Sequence, residues 1–375
     1  MRVLSPIIAI LCLIGAPLLG MHLSGEPVKE FLDFPPITTF LTTDHEPFSW
    51  VAFFLFLFLI IVTITPFIIK VFSSKEINRT SKGINRKIIT GQYGFPVWGW
   101  IGLVIMVTGW VLAWTRFPWF SNLQTHTFTI PWIGYIILVN ALTLKRSGRS
   151  LISHEPVYFA CLFIFSALFW WYFEFLNQFV QNWYYVNIET LERLEFFIYA
   201  TLPFATVLPA VISTMHFMGT FPGLSRGLDH FASIPVSRPR ILALSAGLVA
   251  FATLSMTSRF PDYLFPMLWL APTVIFATAM VIAGIPTFLH GISKGDWRTV
   301  YLLALSALVC GFLREMWNYF SYTRWEYSVP FVQRFLIFEM PLVGYAGYLP
   351  FGLQCGLMAW FVKYLLNPAS RQVNP

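Results

Sequence analysis

The stretch WVAFFLFLFLIIVTITPFII, residues 50–69, runs without a single charge and decides the fold class. At 1.5 Å rise per residue a helix of this length covers about 30 Å, the thickness of a bilayer's hydrocarbon core. It is not an isolated feature. The 375 residues are 57% hydrophobic and 11% charged, with a mean hydropathy of +0.67, against roughly 25% charged residues in a soluble domain. Aromatics make up 18% of the chain, including 15 Trp and 39 Phe. Trp and Tyr cluster near the ends of apolar runs, as interfacial belts require.

Ten runs are long enough to span, near 3–20, 48–72, 95–115, 128–144, 157–181, 194–217, 241–258, 263–289, 299–320 and 335–365. The expected fold is therefore an all-α polytopic membrane protein with about ten transmembrane helices. Met1-Arg2 followed by an apolar stretch to Gly20 has the look of a signal peptide, but no small-x-small cleavage site precedes Met21, so a retained helix is expected.

Lys and Arg accumulate on the cytoplasmic side of short loops. With the N-terminus inside, Arg2, the run Lys70, Lys75, Arg79, Lys82, Arg86, Lys87, then Lys145, Arg146, Arg149, then Arg226, Arg238, Arg240, then Lys294, Arg298, and finally Lys363, Arg371 fall in the cytoplasm, 17 of the 24 basic residues. Lys29, Arg116, Arg193, Arg259, Arg314, Arg324 and Arg334 fall at or near the outer face. Both termini are expected in the cytoplasm, and the expected location is the bacterial plasma membrane. Topology accounts for the net charge of +7, so membrane lipids are the expected partners, with no nucleic acid among them. Cys12, Cys161, Cys310 and Cys355 lie inside the runs without C-x-x-C spacing and read as buried small hydrophobes.

The chain also resembles itself. Arg116-Phe117-Pro118 recurs as Arg259-Phe260-Pro261, 143 residues on; Glu174-x-x-Asn177 recurs as Glu315-x-x-Asn318, 141 on; Trp183-Tyr184-Tyr185 recurs as Trp325-Glu326-Tyr327, 142 on; and Leu194-Glu195-Phe196 recurs as Phe338-Glu339-Met340, 144 on. Four landmarks in one order predict two N-terminal spans (1–94) followed by a tandem parallel repeat of four-helix units (95–238 and 239–375), related by a two-fold along the membrane normal.

The repeated residues share one depth. Charges inside spans cost about 2.5–3.5 kcal/mol each even by insertion scales, so they gather at interiors and cavities. Arg116 and Arg259 end outward-going runs, Glu174 with Asn177 and Glu315 with Asn318 occupy outer turns, and Glu195 and Glu339 begin the returning runs. Two readings follow: ion pairs that lock helix ends with Trp183 and Trp325 as interface anchors, or a pseudo-symmetric pocket lined by aromatics. In the second, Glu174, Glu195, Glu315 and Glu339 are the candidate catalytic residues, because carboxyls in apolar surroundings suit acid/base work near neutral pH. Arg116, Arg259, Asn177, Asn318, Trp183 and Trp325 are the candidate substrate contacts. Carboxylate metal bundles add His in Glu-x-x-His, where this chain has Asn, and His154, His216, His230 and His290 sit at the inner ends; no metal, haem or other cofactor is expected.

The segments Trp183 to Phe197 and Trp325 to Leu342 resemble the membrane-embedded lycopene cyclase domain, in which an aromatic loop precedes a Pro-Leu-Glu-Glu-type helix start. Here that start reads Leu194-Glu195-Phe196-Phe197 and Phe338-Glu339-Met340-Pro341-Leu342, with one carboxylate in place of two. The resemblance implies non-redox acid/base chemistry on a polyprenoid, with Glu195 and Glu339 as proton donors. The function expected is thus an integral membrane enzyme acting on a lipid-soluble, isoprenoid-like small molecule near the outer face. A transporter or channel for a small anion or lipid, and a structural subunit of a membrane complex, are the alternatives.

Overall fold

Apolar runs in a solvent without water must satisfy every backbone group internally, which leaves helices as the economical solution. The computed structural model describes residues 4–38, 44–74, 93–188 and 191–367. Arg2, Lys75, Arg79, Lys82, Arg86, Lys87 and Arg371, which the charge argument placed inside, lie outside the described residues.

The helices are α1 (Leu4–Ser24), α2 (Trp50–Ser73), α3 (Val97–Trp114), α4 (Thr129–Ser147), α5 (Leu151–His154), α6 (Pro156–Val180), α7 (Arg193–Ala205), α8 (Val207–Met218), α9 (Pro239–Met256), α10 (Pro261–Leu264), α11 (Met267–Ala283), α12 (Arg298–Tyr319) and α13 (Tyr348–Leu366). Among the described residues eight helices are long and apolar enough to cross a membrane, counting α7 and α8 as one, or up to ten if two bent pairs each form a span. In those pairs a 3₁₀ segment (Pro118–His126) meets α4 at 70°, and α11 meets a second one (Phe288–Lys294) at 83°.

Two expected boundaries move. The run 263–289 stops at Ala283, where Gly284 takes a positive φ of 66° and Pro286 follows, so the chain cannot continue as a helix. The run 335–365 is helical only from Leu342. Residues before it form a two-residue ladder of β3 (Leu336–Ile337) with β4 (Met340–Pro341), because Phe335 and Phe338 adopt left-handed backbone and Pro341 lacks a helix donor. A second antiparallel ladder, β1 (Trp183–Val186) with β2 (Arg324–Tyr327), joins the connection after α6 to the connection after α12.

Helix neighbours fall into matching sets. Helix α3 packs on α4 as α9 packs on α11; α4 on α8 as α11 on α13; α6 on α7 and α8 as α12 on α13; and α8 on α12 as α13 on α6. Helix α1 lies against α9 and α11, with the Ser5 hydroxyl donating to the Ala279 carbonyl at 2.9 Å. Helix α2 stays at the rim, with only 6% of its apolar window buried, as a lipid-facing helix should. The core runs between α6, α7, α8, α12 and α13 and is rich in Trp and Phe: Trp170, Phe173, Phe204, Trp317 and Phe351 are all buried there.

The break between α7 and α8 opens the wall of the site described below. Pro203 and Pro209 flank it, and a broken helix at membrane depth must have its freed groups paired. Ser166 of α6 does both jobs: its hydroxyl donates to the Phe204 carbonyl at 2.6 Å and accepts from the Leu208 N–H at 3.0 Å. Ser166→Ala removes both partners from a fully buried site. The expected loss is about 1–3 kcal/mol, visible as a lower melting temperature in detergent; an unchanged value would show that the break is held by other means.

Candidate functional site

Two buried carboxylates organise this end of the bundle. Glu174 and Glu315 lie on the last turns of α6 and α12, 2% and 0% exposed. Leaving such a charge unpaired in an apolar core costs several kcal/mol, and each hydrogen bond to a charged group returns about 1.5–3. Glu174 accepts from Tyr185 Oη at 2.6 Å, from Trp170 Nε1 at 2.9 Å and from Trp183 Nε1 at 3.3 Å. Glu315 Oε1 accepts from Tyr348 Oη at 2.5 Å and from Tyr327 Oη at 2.8 Å, and Trp325 Nε1 donates in turn to Tyr327 Oη at 2.9 Å. The second oxygen, Glu315 Oε2, has no hydrogen-bond partner among the described residues.

The strands carry these donors, and two asparagines position the strands. Gln181 caps α6 in left-handed conformation (φ 48°). One turn back, Asn177 Nδ2 donates to the Trp183 carbonyl at 2.7 Å and its Oδ1 accepts from the Asn182 N–H at 2.9 Å. Asn318 repeats the arrangement, donating to the Trp325 carbonyl at 2.7 Å and accepting from the Trp325 N–H at 3.0 Å. Both amides are consumed by backbone, so these expected substrate contacts hold the site instead of lining it. The β1–β2 register pairs Trp183 with Tyr327, Tyr184 with Glu326 and Tyr185 with Trp325, which delivers one phenol of each strand to its own carboxylate.

Between the carboxylates opens a cleft. Its enclosed volume is about 60 Å³, within about 790 Å³ of atom-free space once the mouth is counted. The first figure is room for a few waters. Phe128, Phe196, Phe204, Val207 and Val211 supply an apolar wall, and Trp170, Tyr185, Trp325 and Tyr348 face the same space. Arg314 is the cation at its centre, with Arg324 nearer the outside in an ion pair to Glu326 at 2.7 Å. The Arg314 guanidinium lies over the rings of Trp170 and Trp325, at 4.2 and 4.3 Å from their centroids.

The remaining expected site residues lie elsewhere. Glu195 is exposed and closes a capping box at the start of α7, accepting from the Glu192 N–H at 3.1 Å. Glu339 sits at the β3–β4 turn, half-buried near Glu326. Arg116 caps α3 through the Ala113 carbonyl (2.9 Å) and reaches the Phe320 carbonyl (2.7 Å). Arg259 is exposed, with its guanidinium over Phe260. Trp183 stacks on Trp269 with centroids 6.1 Å apart, and of the two expected tryptophans only Trp325 lines the cleft. Arg314, Tyr348 and Tyr185 were not among the expected site residues. A signal was present for Arg314, an arginine beside the repeated glutamate, and for Tyr185, which recurs as Tyr327 in the repeated Trp-x-Tyr, but not for Tyr348.

The fold and site define a multi-pass helical membrane protein with an aromatic cleft walled by two phenol–carboxylate pairs. No protein-family model, no curated protein and no solved structure matches the chain.

Partial burial and then the Glu326 charge hold the Glu339 carboxyl above its ordinary range, with Arg324 opposing. A raised acid favours the folded state while protonated, so its contribution is lost as pH rises through the folded value. Glu339→Gln is therefore expected to melt higher than the native protein at about pH 8, with the gain closing as pH falls toward the ordinary glutamate range near 4.3. Equal melting at about pH 8 would contradict the burial assigned to this carboxyl.

Proposed function

We propose that the protein is an integral membrane enzyme that carries out glutamate-driven acid/base chemistry on a lipid-soluble substrate held in the aromatic cleft. One observation carries the reading. Tyr348 stands at the cleft wall with its hydroxyl 2.5 Å from Glu315 Oε1, and Tyr185 stands there with its hydroxyl 2.6 Å from Glu174 Oε1. Each phenol is a relay: a proton moves from the buried carboxyl through Tyr Oη to a substrate atom, or returns by the same route. Such a relay needs no oxidant or reductant, which suits isomerisation, cyclisation or hydration of a polyprenoid-like chain. Aromatic walls favour cationic character in the substrate, since ring faces carry negative potential. The buried acids whose phenol partners line the cleft are Glu174 and Glu315, so the resemblance-derived donors Glu195 and Glu339 give way to them in this proposal.

The matching helix neighbours and the equivalent roles of Asn177 and Asn318 support the two-unit repeat as the origin of the paired relays. Lys145, Arg146, Lys294, Arg298 and Lys363 fall on the opposite end of the helices from the strands, which supports an extracytoplasmic cleft, cytoplasmic termini and a plasma-membrane location.

The test is the lipid extract of expressing cells, profiled by mass spectrometry. Expression of the native protein should shift a lipid-soluble species, and Tyr348→Phe and Glu315→Gln should each lower that conversion by about 10²–10⁴-fold, the range of a lost acid/base group. Retained conversion in both variants, with loss in Glu195→Gln and Glu339→Gln, would favour the cyclase-like donors instead. Movement of an unaltered lipid across reconstituted vesicles would identify a carrier.

A further inference from the structure

Arg314 carries five N–H donors on a planar group and accepts nothing. Its central carbon lies over the rings of Trp170 and Trp325, 4.2 and 4.3 Å from their centroids. Among the described residues no hydrogen bond and no ion pair is made by this guanidinium, although Glu174 and Glu315 both feel its charge. The carboxylates take phenol and indole donors instead, with Glu315 Oε2 left without a partner among the described residues, and neither lines the cleft, where Arg314 does. Arg314 is partly exposed and lines the cleft.

A guanidinium held against two indoles with its N–H groups unpaired matches a two-oxygen acceptor. Unmet donors of a charged group at this depth are costly, so a ligand that brings acceptors gains what the protein leaves unmade. Away from Arg314 the wall is hydrocarbon and aromatic, with Phe128, Phe196, Phe204 and Val211 continuing the cleft. Arg324 near the mouth adds a second positive charge, in part neutralised by Glu326.

The two glutamate helices differ beside the cleft. At the 141-residue offset of the glutamates, Gly311 and Arg314 stand where α6 has Trp170 and Phe173. Phe173 stacks on Trp269 at 4.9 Å. On α12 the absence of a side chain at Gly311 admits the Tyr348 ring, which a Cβ there would meet at 2.5 Å. The cation at the cleft thus stands where α6 has a ring packed against another ring.

We propose that Arg314 is an anion-recognition residue and that the cleft takes the head of an amphiphile, one oxyanion group that is a carboxylate or a phosphate monoester, whose hydrocarbon chain leaves through the open mouth. This rests on the cleft being the binding site of the proposed function and names the class of molecule it takes.

The test uses purified full-length protein in nanodiscs of zwitterionic lipid, with quenching of tryptophan fluorescence by dodecanoate, dodecyl phosphate and dodecanol, since Trp170 and Trp325 flank the cation. Both anions should bind at least about tenfold more tightly than the alcohol, the effect of one charge-assisted hydrogen bond. Arg314→Met should abolish that preference while dodecanol binding stays. The tighter of the two anions identifies the head as carboxylate or phosphate. Equal affinity for anion and alcohol in the native protein would overturn the role of Arg314 but leave the cleft reading intact. If none of the three binds, and Ala210→Phe in the cleft wall changes nothing, the cleft reading itself fails. Should Arg314→Met not give a monodisperse protein, the native preference for anion over alcohol decides the matter alone.

Discussion

Two carboxylates buried at the ends of α6 and α12 constrain everything around them. A Glu at that depth must be met by donors, and a helix cannot supply them from its own backbone, whose N–H groups are already paired. The donors come from Tyr185, Trp183 and Tyr327 on the strands that follow each helix, joined by Trp170 on α6 and Tyr348 on α13. Those strands in turn need a defined register, and Asn177 and Asn318 give it by engaging the backbone of the strand a few residues on. The β1–β2 ladder then ties one half of the chain to the other directly beneath the carboxylates. Removing the acids would leave the phenols, the ladder and the broken α7–α8 wall without the interaction that fixes their positions.

The two glutamates differ in where their donors come from. Trp170 supplies an indole donor to Glu174 from its own helix. At the 141-residue offset α12 has Gly311, and the donor to Glu315 comes from Tyr348 of the next helix. Exchanging an indole on one helix for a phenol on its neighbour preserves the hydrogen bond, with the Tyr348 ring seated against Gly311. Arg314, where α6 has Phe173, then places a cation rather than a ring beside the cleft.

Much of this was legible in the sequence and some was not, for identifiable reasons. Apolar runs with interfacial aromatics announce helices because the bilayer permits little else, and residues 50–69 did so unaided. The repeated Glu-x-x-Asn marked the depth and the helix ends at which the site sits. What the pattern concealed was the job of each polar group. Asn and a solvent-facing Glu look alike in sequence whether they touch substrate or backbone, so Glu195 read as a proton donor and is a helix cap. Tyr348 could not be read at all, since its value depends on an empty position at Gly311, 37 residues away. Boundaries slipped where Gly284 ended a helix and the left-handed Phe335 and Phe338 delayed the start of another inside hydrophobic stretches, a conformational effect that hydropathy does not register.

The central claim is that the cleft between the two carboxylates holds a ligand at Arg314. Cryo-electron microscopy of protein extracted from its native membrane tests it most directly. The account predicts elongated density along Phe128, Phe196 and Phe204, ending in a head group at the Arg314 guanidinium, with the Trp170 and Trp325 stack intact. An empty cleft in which Arg314 has swung out of the stack to pair with Glu315 or Glu174 would contradict it, and would make the whole constellation a structural ion-pair network.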